Sequence, residues 1–197
     1  MPPKPHYFGT GQHYHPSFFT ELFITCDLTF KKSGPSNNAM LVMGYKRDPR
    51  VPVKVNPYGD VYVLDRVCRS MSFTESKAEL IRLATEHPAA RIKLIERFAN
   101  GEAMLDDLSG LGGMTAWPPR GKKKSSKHVC WAVAADVHRR GQLYLPNEPW
   151  ADDMINRFSS LTPGDAGSGD ADSADAMAQG IQYIASRRLG TRRALFS

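Results

Sequence analysis

Cysteine is scarce in this sequence. Only three of the 197 residues are cysteine, and Cys26, Cys68 and Cys130 stand far apart without any CxxC pair. An odd number of widely spaced thiols argues against a disulfide framework and against a zinc knuckle. We therefore expect three reduced, partly buried cysteines that fill space.

Long hydrophobic runs are also absent. No stretch of about 18 consecutive apolar residues occurs, as a membrane-spanning helix would need. Residues 1–11 are rich in proline, glycine and histidine and contain no apolar segment, which argues against a secretory signal. We therefore expect a soluble, cytosolic protein without a membrane partner.

Two widespread catalytic motifs are missing as well. No G-x-x-x-x-G-K-[S/T] sequence occurs, which excludes the phosphate-binding loop of most ATP-driven motors. No serine stands in a G-x-S-x-G sequence, the turn on which many hydrolases present their nucleophile. Any catalytic chemistry must therefore come from other side chains.

The composition that is present is that of a basic globular domain. Hydrophobic residues make up 41% and charged residues 23% of the chain, close to the average for soluble domains, and the length suits a single domain. Lysine and arginine number 26 against 20 acidic residues, so the net charge is +6. This excess of positive charge permits a polyanionic partner such as nucleic acid.

The first half of the chain has the residue alternation of β-strands. After an irregular lead-in at 1–20, we predict strands at Glu21–Phe30, Ala39–Lys46 and Val61–Arg69, because β-branched and aromatic residues alternate there. No helical pattern separates these strands, and a loop rich in proline and glycine connects the last two. Three such sequential strands predict an antiparallel meander.

From residue 74 onward, predicted helices and short strands alternate. The helices are expected at 74–87 (with Thr74 as a possible N-cap), 102–108, 127–140, 150–158 and 173–188, and the strands at 91–98, 114–117 and 142–145. A strand, helix, strand order gives a right-handed crossover when the two strands pair in parallel. The sequence thus predicts an α/β domain over 21–190, followed by a basic tail at 191–197. Its mixed sheet has three antiparallel strands first, then parallel strands, and is flanked by helices.

Several carboxylates occupy unusual places in this pattern. Asp27 lies within an apolar strand, Glu96 follows Leu94 and Ile95, and Asp172 and Asp175 are three residues apart at the start of the last helix. Desolvating a carboxylate costs several kcal/mol, and a divalent cation can compensate that cost. Taken one at a time, each of these acids could equally be a surface charge or a salt-bridge partner.

The order of the motifs resembles the nuclease domain of the large terminase subunit of tailed bacteriophages. The motifs that carry the resemblance are FITCDLTF, YVLDRV, RIKLIERFANGEAMLDDL, KHVCWAVAADVHRRGQLYLP, PWADDMINRFSS and DSADAMAQGIQYI, and together they extend over about 20–188. The resemblance implies an RNase H-like fold. It also implies a metal-dependent endonuclease that cleaves double-stranded phage DNA concatemers during genome packaging.

The resemblance assigns roles to four acids. Asp27 matches the ligand on the first strand, Glu96 matches the second ligand, Asp175 matches the aspartate of the terminal Asp-Ala pair, and Asp172 matches the acid three residues earlier. These acids would bind two Mg²⁺ or Mn²⁺ ions for phosphodiester hydrolysis. Independently of the resemblance, an all-oxygen ligand set suits these ions and this mechanism.

The chain departs from the pattern of the family at two places. The terminal motif of the family often reads His-Asp-Asp, where this chain has Asp170-Ala171-Asp172, which leaves open whether Asp172, Asp175 or both contact metal. The family also often has an aspartate after the first strand, where this chain has Asn37-Asn38. One possible acidic helper is therefore missing.

A basic segment between the second and third acids is a candidate DNA-binding loop. It holds five cations in eight residues: Arg120, Lys122, Lys123, Lys124 and Lys127. Such a loop beside a metal site would neutralise phosphates without reading the base sequence. A flexible, solvated loop is the alternative interpretation.

The resemblance also implies partners and a location. The substrate would be double-stranded DNA, and the missing ATPase motor domain, the portal and the small terminase subunit would be partners in the cytoplasm of the infected bacterial host. Two other functions remain open on the residues alone. The chain could be another RNase H-like nuclease, such as a junction resolvase or an RNA-hybrid nuclease, or a non-catalytic basic DNA-binding module.

Overall fold

Seven strands form one mixed sheet in the computed structural model, which describes residues 6–9, 14–28, 37–52, 55–97, 101–121, 127–160 and 172–193. The strands are β1 (His6–Phe8), β2 (Glu21–Asp27), β3 (Asn37–Lys46), β4 (Asp60–Ser70), β5 (Ala90–Glu96), β6 (Met114–Trp117) and β7 (Leu143–Pro146). Their order across the sheet is β1-β7-β4-β3-β2-β5-β6.

Five α-helices flank the sheet over the same residues. They are α1 (Phe73–Glu86), α2 (Gly101–Asp107), α3 (Lys127–Arg139), α4 (Pro149–Ser160) and α5 (Asp172–Arg193), with short 3-10 turns at Pro16–Phe18 and Ser109–Leu111. Within the described ranges, no helix combines the length and the apolar composition needed to cross a membrane.

The pairing of the strands confirms the predicted mixed sheet. Strands β2, β3 and β4 pair antiparallel, whereas β5 pairs with β2, β6 with β5, β7 with β4 and β1 with β7 in parallel. Because β2 and β5 run in parallel, their carboxyl ends lie side by side at one edge of the sheet. Two of the candidate acids stand at these ends.

The amino-terminal segment differs from the predicted irregular lead-in. Strand β1 pairs with β7, and His6 stacks on Tyr144 with ring centroids 4.8 Å apart. A strand of three residues is too short to show an alternating pattern, and its partner lies far along the chain, so the local sequence does not reveal it.

The start of one helix and the end of another also differ from the prediction. The N-cap of α1 is Ser72 rather than Thr74, because the Ser72 hydroxyl accepts the backbone N–H of Glu75 while the Glu75 carboxylate accepts the backbone N–H of Ser72. Helix α5 continues to Arg193 and therefore includes the first residues of the predicted basic tail.

Both faces of the sheet are buried, by different helices. Phe23, Leu41 and Leu94 belong to the core that includes residues of α3, α4 and α5, whereas Ile24 and Ile95 belong to the core that includes residues of α1 and α2. Burial on both faces explains why the central strand β3 is a nearly continuous apolar run from Ala39 to Tyr45. Asp27, at the end of the neighbouring strand β2, is buried as well.

A β-bulge in β4 changes which side chains face which helices. Val42 pairs with Asp65 but Met43 pairs with Val63, so Leu64 is the extra residue. Before the bulge, Val63 faces the α5 core, and after it Val67 faces the α1 core. The bulge thereby directs Asp65 to the α1 face, and its neighbour Arg66 to the opposite face.

Helix α5 is buried on nearly all sides between Asp172 and Ile184. The 3.6-residue period of its sequence predicts a polar stripe of Asp172, Asp175, Gln179 and Gln182 leading to the site, with Met177, Ile181 and Ile184 buried against the sheet. Met177, Ile181 and Ile184 are indeed fully buried. Gln179 and Gln182 instead bond to other parts of the core. Gln179 is buried against the sheet, and Gln182 donates to the Cys130 sulfur at 2.7 Å.

Gly101, at the start of α2, provides a test of the close packing around Glu96. A Cβ added there would lie 1.7 Å from the Glu96 carbonyl oxygen, so the backbone beside the candidate acid would have to move. We expect Gly101→Ala to lower the free energy of unfolding in urea by about 1–3 kcal/mol, the usual cost of overpacking.

Gly110 supplies the matched control, because a Cβ at this position meets no atom within 4 Å. Gly110→Ala should therefore leave the unfolding midpoint almost unchanged. Equal stability of the two variants would show that the chain around Glu96 tolerates the extra atom, contrary to the geometry.

Candidate metal centre

Asp27 and Glu96 are the last residues of two neighbouring parallel strands. Asp27 ends β2 and Glu96 ends β5, directly after the paired residues Cys26 and Ile95. Since side chains alternate along a strand, both acids point away from the α1 core that holds Cys26 and Ile95. They therefore share the face of the sheet that α5 covers.

Helix α5 brings two more acids to the same place. Asp172 and Asp175 stand in its first turn, and carboxylate oxygens of Asp27, Asp172 and Asp175 lie within 4.8 Å of one another. Asp27 also shares a hydrogen bond with Glu96. The structure thus brings together all four acids that the sequence singles out, and we call them the four-carboxylate cluster.

The cluster is largely buried and electrostatically unfavourable without a cation. Asp27 and Asp172 are only 7% and 8% exposed, whereas Glu96 and Asp175 are half-buried. Burial raises the pKa of Asp27 well above its ordinary value, and the charges of Glu96 and Asp175, the hydrogen bond with Glu96 and the charge of Asp172 raise it further. Asp27 consequently retains a proton where an exposed aspartate would have lost it.

The donor set fits hard divalent cations. Four carboxylates supply only oxygen ligands, which Mg²⁺ and Mn²⁺ prefer over the softer donors that copper selects. A divalent ion would also compensate the burial and the crowding of charges that raise the pKa of Asp27. These residues therefore suit a metal centre on both chemical and electrostatic grounds.

A tryptophan that the sequence analysis did not single out holds one of the acids. The buried indole of Trp131, on α3, donates from Nε1 to Asp175 Oδ1 at 2.7 Å. An indole N–H is a donor that carries no charge, so it orients the carboxylate without neutralising it. Because Trp131 and Asp175 are 44 residues apart, no local pattern could reveal the pair.

Three further hydrogen bonds fix α5 against the strands that carry the acids. Gln179 Nε2 donates to the carbonyl of Leu94 at 3.1 Å and, less closely, to that of Cys26 at 3.5 Å. The Thr25 hydroxyl donates to the carbonyl of Ala176 at 3.0 Å. These contacts tie the helix to β2 and β5 within two residues of Asp27 and Glu96, so they set the separation of the carboxylates.

Arg66 supports the start of the same helix. Its guanidinium Nε donates to the hydroxyl of Ser173 at 3.0 Å, and its Nη2 lies 3.8 Å from Asp153 on α4. Ser173 follows Asp172 directly. The bulge in β4 therefore contributes to the site, because it places Arg66 on this face of the sheet.

The other predicted residues have different positions. Lys122, Lys123 and Lys124 lie outside the described residues, Arg120 is exposed after β6, and Lys127 is the first residue of α3. Asn38, where the family often has an acid, is buried and donates to the carbonyl of Met71 and to the Ser76 hydroxyl. Asn38 thus connects β3 to α1.

The raised pKa of Asp27 predicts how stability depends on pH. The metal-free folded chain retains a proton that the unfolded chain releases, so stability is lost as pH rises from about 4, the ordinary aspartate pKa, through the folded value. Asp27→Asn should remove that loss. In chelator, we expect the variant to gain about 1.4 kcal/mol over wild type at neutral pH per unit of pKa elevation, measured by urea unfolding between pH 4 and 8.

Asp106→Asn, an exposed position on α2, is the control and should follow the wild-type pH profile. A metal-free Asp27→Asn chain that is less stable than wild type at neutral pH would contradict the unfavourable charge crowding.

Comparison with solved structures supports the fold. The large terminase nuclease of the thermophilic phage G20c with bound zinc matches at a TM-score of 0.57 and 14% identity, covering 91% of this chain and 92% of that one. The large terminase nuclease domain of bacteriophage SPP1 with bound manganese matches at 0.53 and 14%, covering 85% and 89%. The manganese-soaked, inhibitor-bound terminase nuclease domain of human cytomegalovirus matches at 0.57 and 11%, covering 91% and 89%.

The likeness to known proteins is found in the structure and not in the sequence. No protein-family model matches the sequence, and no curated protein matches it. The structural likeness nevertheless extends over most of both chains and confirms the resemblance seen in the order of the motifs. The chain therefore has the same fold as these large terminase nuclease domains.

Proposed function

We propose that this chain is a metal-dependent endonuclease that hydrolyses phosphodiester bonds of double-stranded DNA. The observation that carries the proposal is the convergence of Asp27, Glu96, Asp172 and Asp175 from two strand ends and one helix start. A buried cluster of oxygen ligands in this fold is suited to two Mg²⁺ or Mn²⁺ ions. The zinc and manganese in the neighbouring nuclease structures support divalent metal binding.

The four acids would bind the metal ions, and other residues of the chain orient these acids. When bound, paired divalent ions supply an activated water and stabilise the leaving oxygen in a single in-line displacement. Asp27 must give up its retained proton to serve as a ligand, and the other three acids complete the oxygen set. Trp131, Gln179 and Thr25 keep the carboxylates at fixed positions, which lowers the cost of organising the reaction.

The biological setting that we propose is cleavage of DNA concatemers during genome packaging. The support is the likeness to terminase nucleases of two phages and of human cytomegalovirus. In that setting an ATPase motor, the portal and the small terminase subunit would be partners in the cytoplasm of an infected bacterium. The excess of positive charge, +6, suits contact with the phosphate backbone.

A cleavage assay tests the activity directly. We expect the purified chain to cut linear double-stranded DNA with Mg²⁺ or Mn²⁺ and to be inactive in excess chelator or with Ca²⁺, whose looser coordination holds water and phosphate less well in line. Asp27→Ala should lower the rate more than about 100-fold, equivalent to about 2.7 kcal/mol, while the fold remains intact by circular dichroism.

Asp106→Ala serves as the matched acidic control and should cut at the wild-type rate. Four-way junctions and RNA–DNA hybrids, tested in parallel, separate the proposed substrate from those of other RNase H-like nucleases. Cleavage that persists in chelator or in Asp27→Ala would refute the assignment, and folded, metal-loaded protein that binds DNA without cutting any substrate would identify a non-catalytic binding module.

The basic segment makes a separate prediction about DNA binding. Replacing Lys122, Lys123, Lys124 and Lys127 with glutamine should weaken binding equally for unrelated DNA sequences. The slope of log K against log salt should become shallower by about 0.9 for each phosphate that the variant no longer neutralises, measured by fluorescence anisotropy with Asp27→Ala protein. An unchanged slope would show that DNA binds elsewhere on the surface.

A further inference from the structure

The face of the sheet opposite the four-carboxylate cluster holds a second group of metal-ligating side chains. Asp65 lies in β4, Glu86 is the last residue of α1, and His87 follows it. One possible ligand atom from each of these residues lies within 4.8 Å of the other two. We propose that Asp65, Glu86 and His87, the histidine cluster, form a second metal site that binds a zinc-type transition ion rather than magnesium.

The spacing of the ligand atoms suits a single ion. His87 Nε2 lies 3.2 Å from Asp65 Oδ2. Two ligands of a tetrahedral zinc ion, each about 2.0–2.1 Å from the metal, are about 3.4 Å apart. The pair therefore needs only a small adjustment to hold one ion between its atoms.

Hydrogen bonds orient the Asp65 carboxylate and fix the backbone of His87. The Asp65 carboxylate accepts the backbone N–H of Arg66 through Oδ1 at 2.7 Å, so Oδ2 is the oxygen turned toward the imidazole. His87 donates its own backbone N–H to the Leu83 carbonyl, and its carbonyl accepts the N–H of Ala90, both at 2.9 Å. Such preorganisation lowers the entropy cost of binding an ion.

The third ligand and the surrounding charge are also suitable. Glu86 is exposed, and one of its oxygens, Oε2, bonds to Arg82, which makes Oε1 the ligand atom that we propose. Both Glu86 and His87 stand at the carboxyl end of α1, where the helix dipole attracts cations. The competing guanidinium of Arg82 makes this site weaker than one with three unshared ligands.

An adjoining cavity gives access to the cluster. The cavity measures about 620 Å³, and its lining includes all three ligands together with Glu148 and Trp150. Catalytic and exchangeable metal sites with three protein ligands require an open position for water or another small ligand. The cavity leaves room for such a ligand beside the three side chains.

The two metal centres should select different ions. An imidazole nitrogen suits zinc, copper, iron and nickel, whereas sites built only from carboxylates suit magnesium, calcium and manganese. The acids of the four-carboxylate cluster offer only oxygen ligands, whereas the histidine cluster includes an imidazole nitrogen. Zinc binding that magnesium does not displace is therefore the expected signature of the histidine cluster.

Metal binding by a chain whose first centre is disabled tests the proposal. In full-length Asp27→Asn/Asp175→Asn protein, equilibrium dialysis followed by elemental analysis should find about one zinc ion per chain that millimolar Mg²⁺ does not displace. Adding His87→Gln or Glu86→Gln should weaken zinc binding at least tenfold. Adding Glu148→Gln, which changes another acid of the same cavity, should leave it unchanged.

Cobalt provides a second measurement at the same site. Co²⁺ should give visible absorption bands in the Asp27→Asn/Asp175→Asn protein that disappear with His87→Gln. Circular dichroism verifies that each variant is folded, and Glu86→Gln covers the case in which a change at His87 disturbs α1. The proposal is overturned if the folded double variant retains no zinc, if magnesium displaces the zinc, or if zinc binding survives both single changes. None of these outcomes depends on DNA cleavage.

Discussion

Repulsion between like charges is the constraint on which the arrangement of this domain depends. Four carboxylates meet at the carboxyl ends of β2 and β5, and burial together with their proximity raises the pKa of Asp27. Hydrophobic contacts of α5 oppose this repulsion, since its apolar residues are buried between the sheet and α3. Hydrogen bonds from Gln179 and Thr25 add direction to that contact. Apolar burial thus supplies the energy to hold the helix, while polar contacts decide where its acids stand.

The sheet separates two different chemical environments. On the α5 face, four acids form an all-oxygen centre suited to hard cations, and the indole of Trp131 orients one of them. On the α1 face, an imidazole joins two carboxylates at the end of a helix. The bulge at Leu64 contributes to both, because one extra residue in β4 sends Asp65 to one face and Arg66 to the other. A single backbone irregularity therefore serves two sites on opposite sides of the sheet.

Much of the fold could be predicted from local patterns, and the exceptions have physical reasons. The meander and the alternating helices follow from periodicity, and the strand at 114–117 has the predicted bounds. Strand β1 escaped prediction because its strand partner, β7, lies far along the chain. The N-cap at Ser72 escaped because Thr74 also fits the preference for a hydroxyl at that position. Gln179 was expected on a polar stripe, but its amide is satisfied by backbone carbonyls inside the core.

The sequence by itself determined which carboxylates lie on apolar elements, since burial of a strand or helix is written in its local pattern of residues. It also determined the order of strands and helices along the chain. Only the tertiary structure decided that Asp27, Glu96, Asp172 and Asp175 meet, that Trp131 holds one of them, and that His87 lies beside Asp65. The physical reason is that periodicity reports the environment of each segment, whereas distances between side chains depend on how segments far apart in the chain pack together.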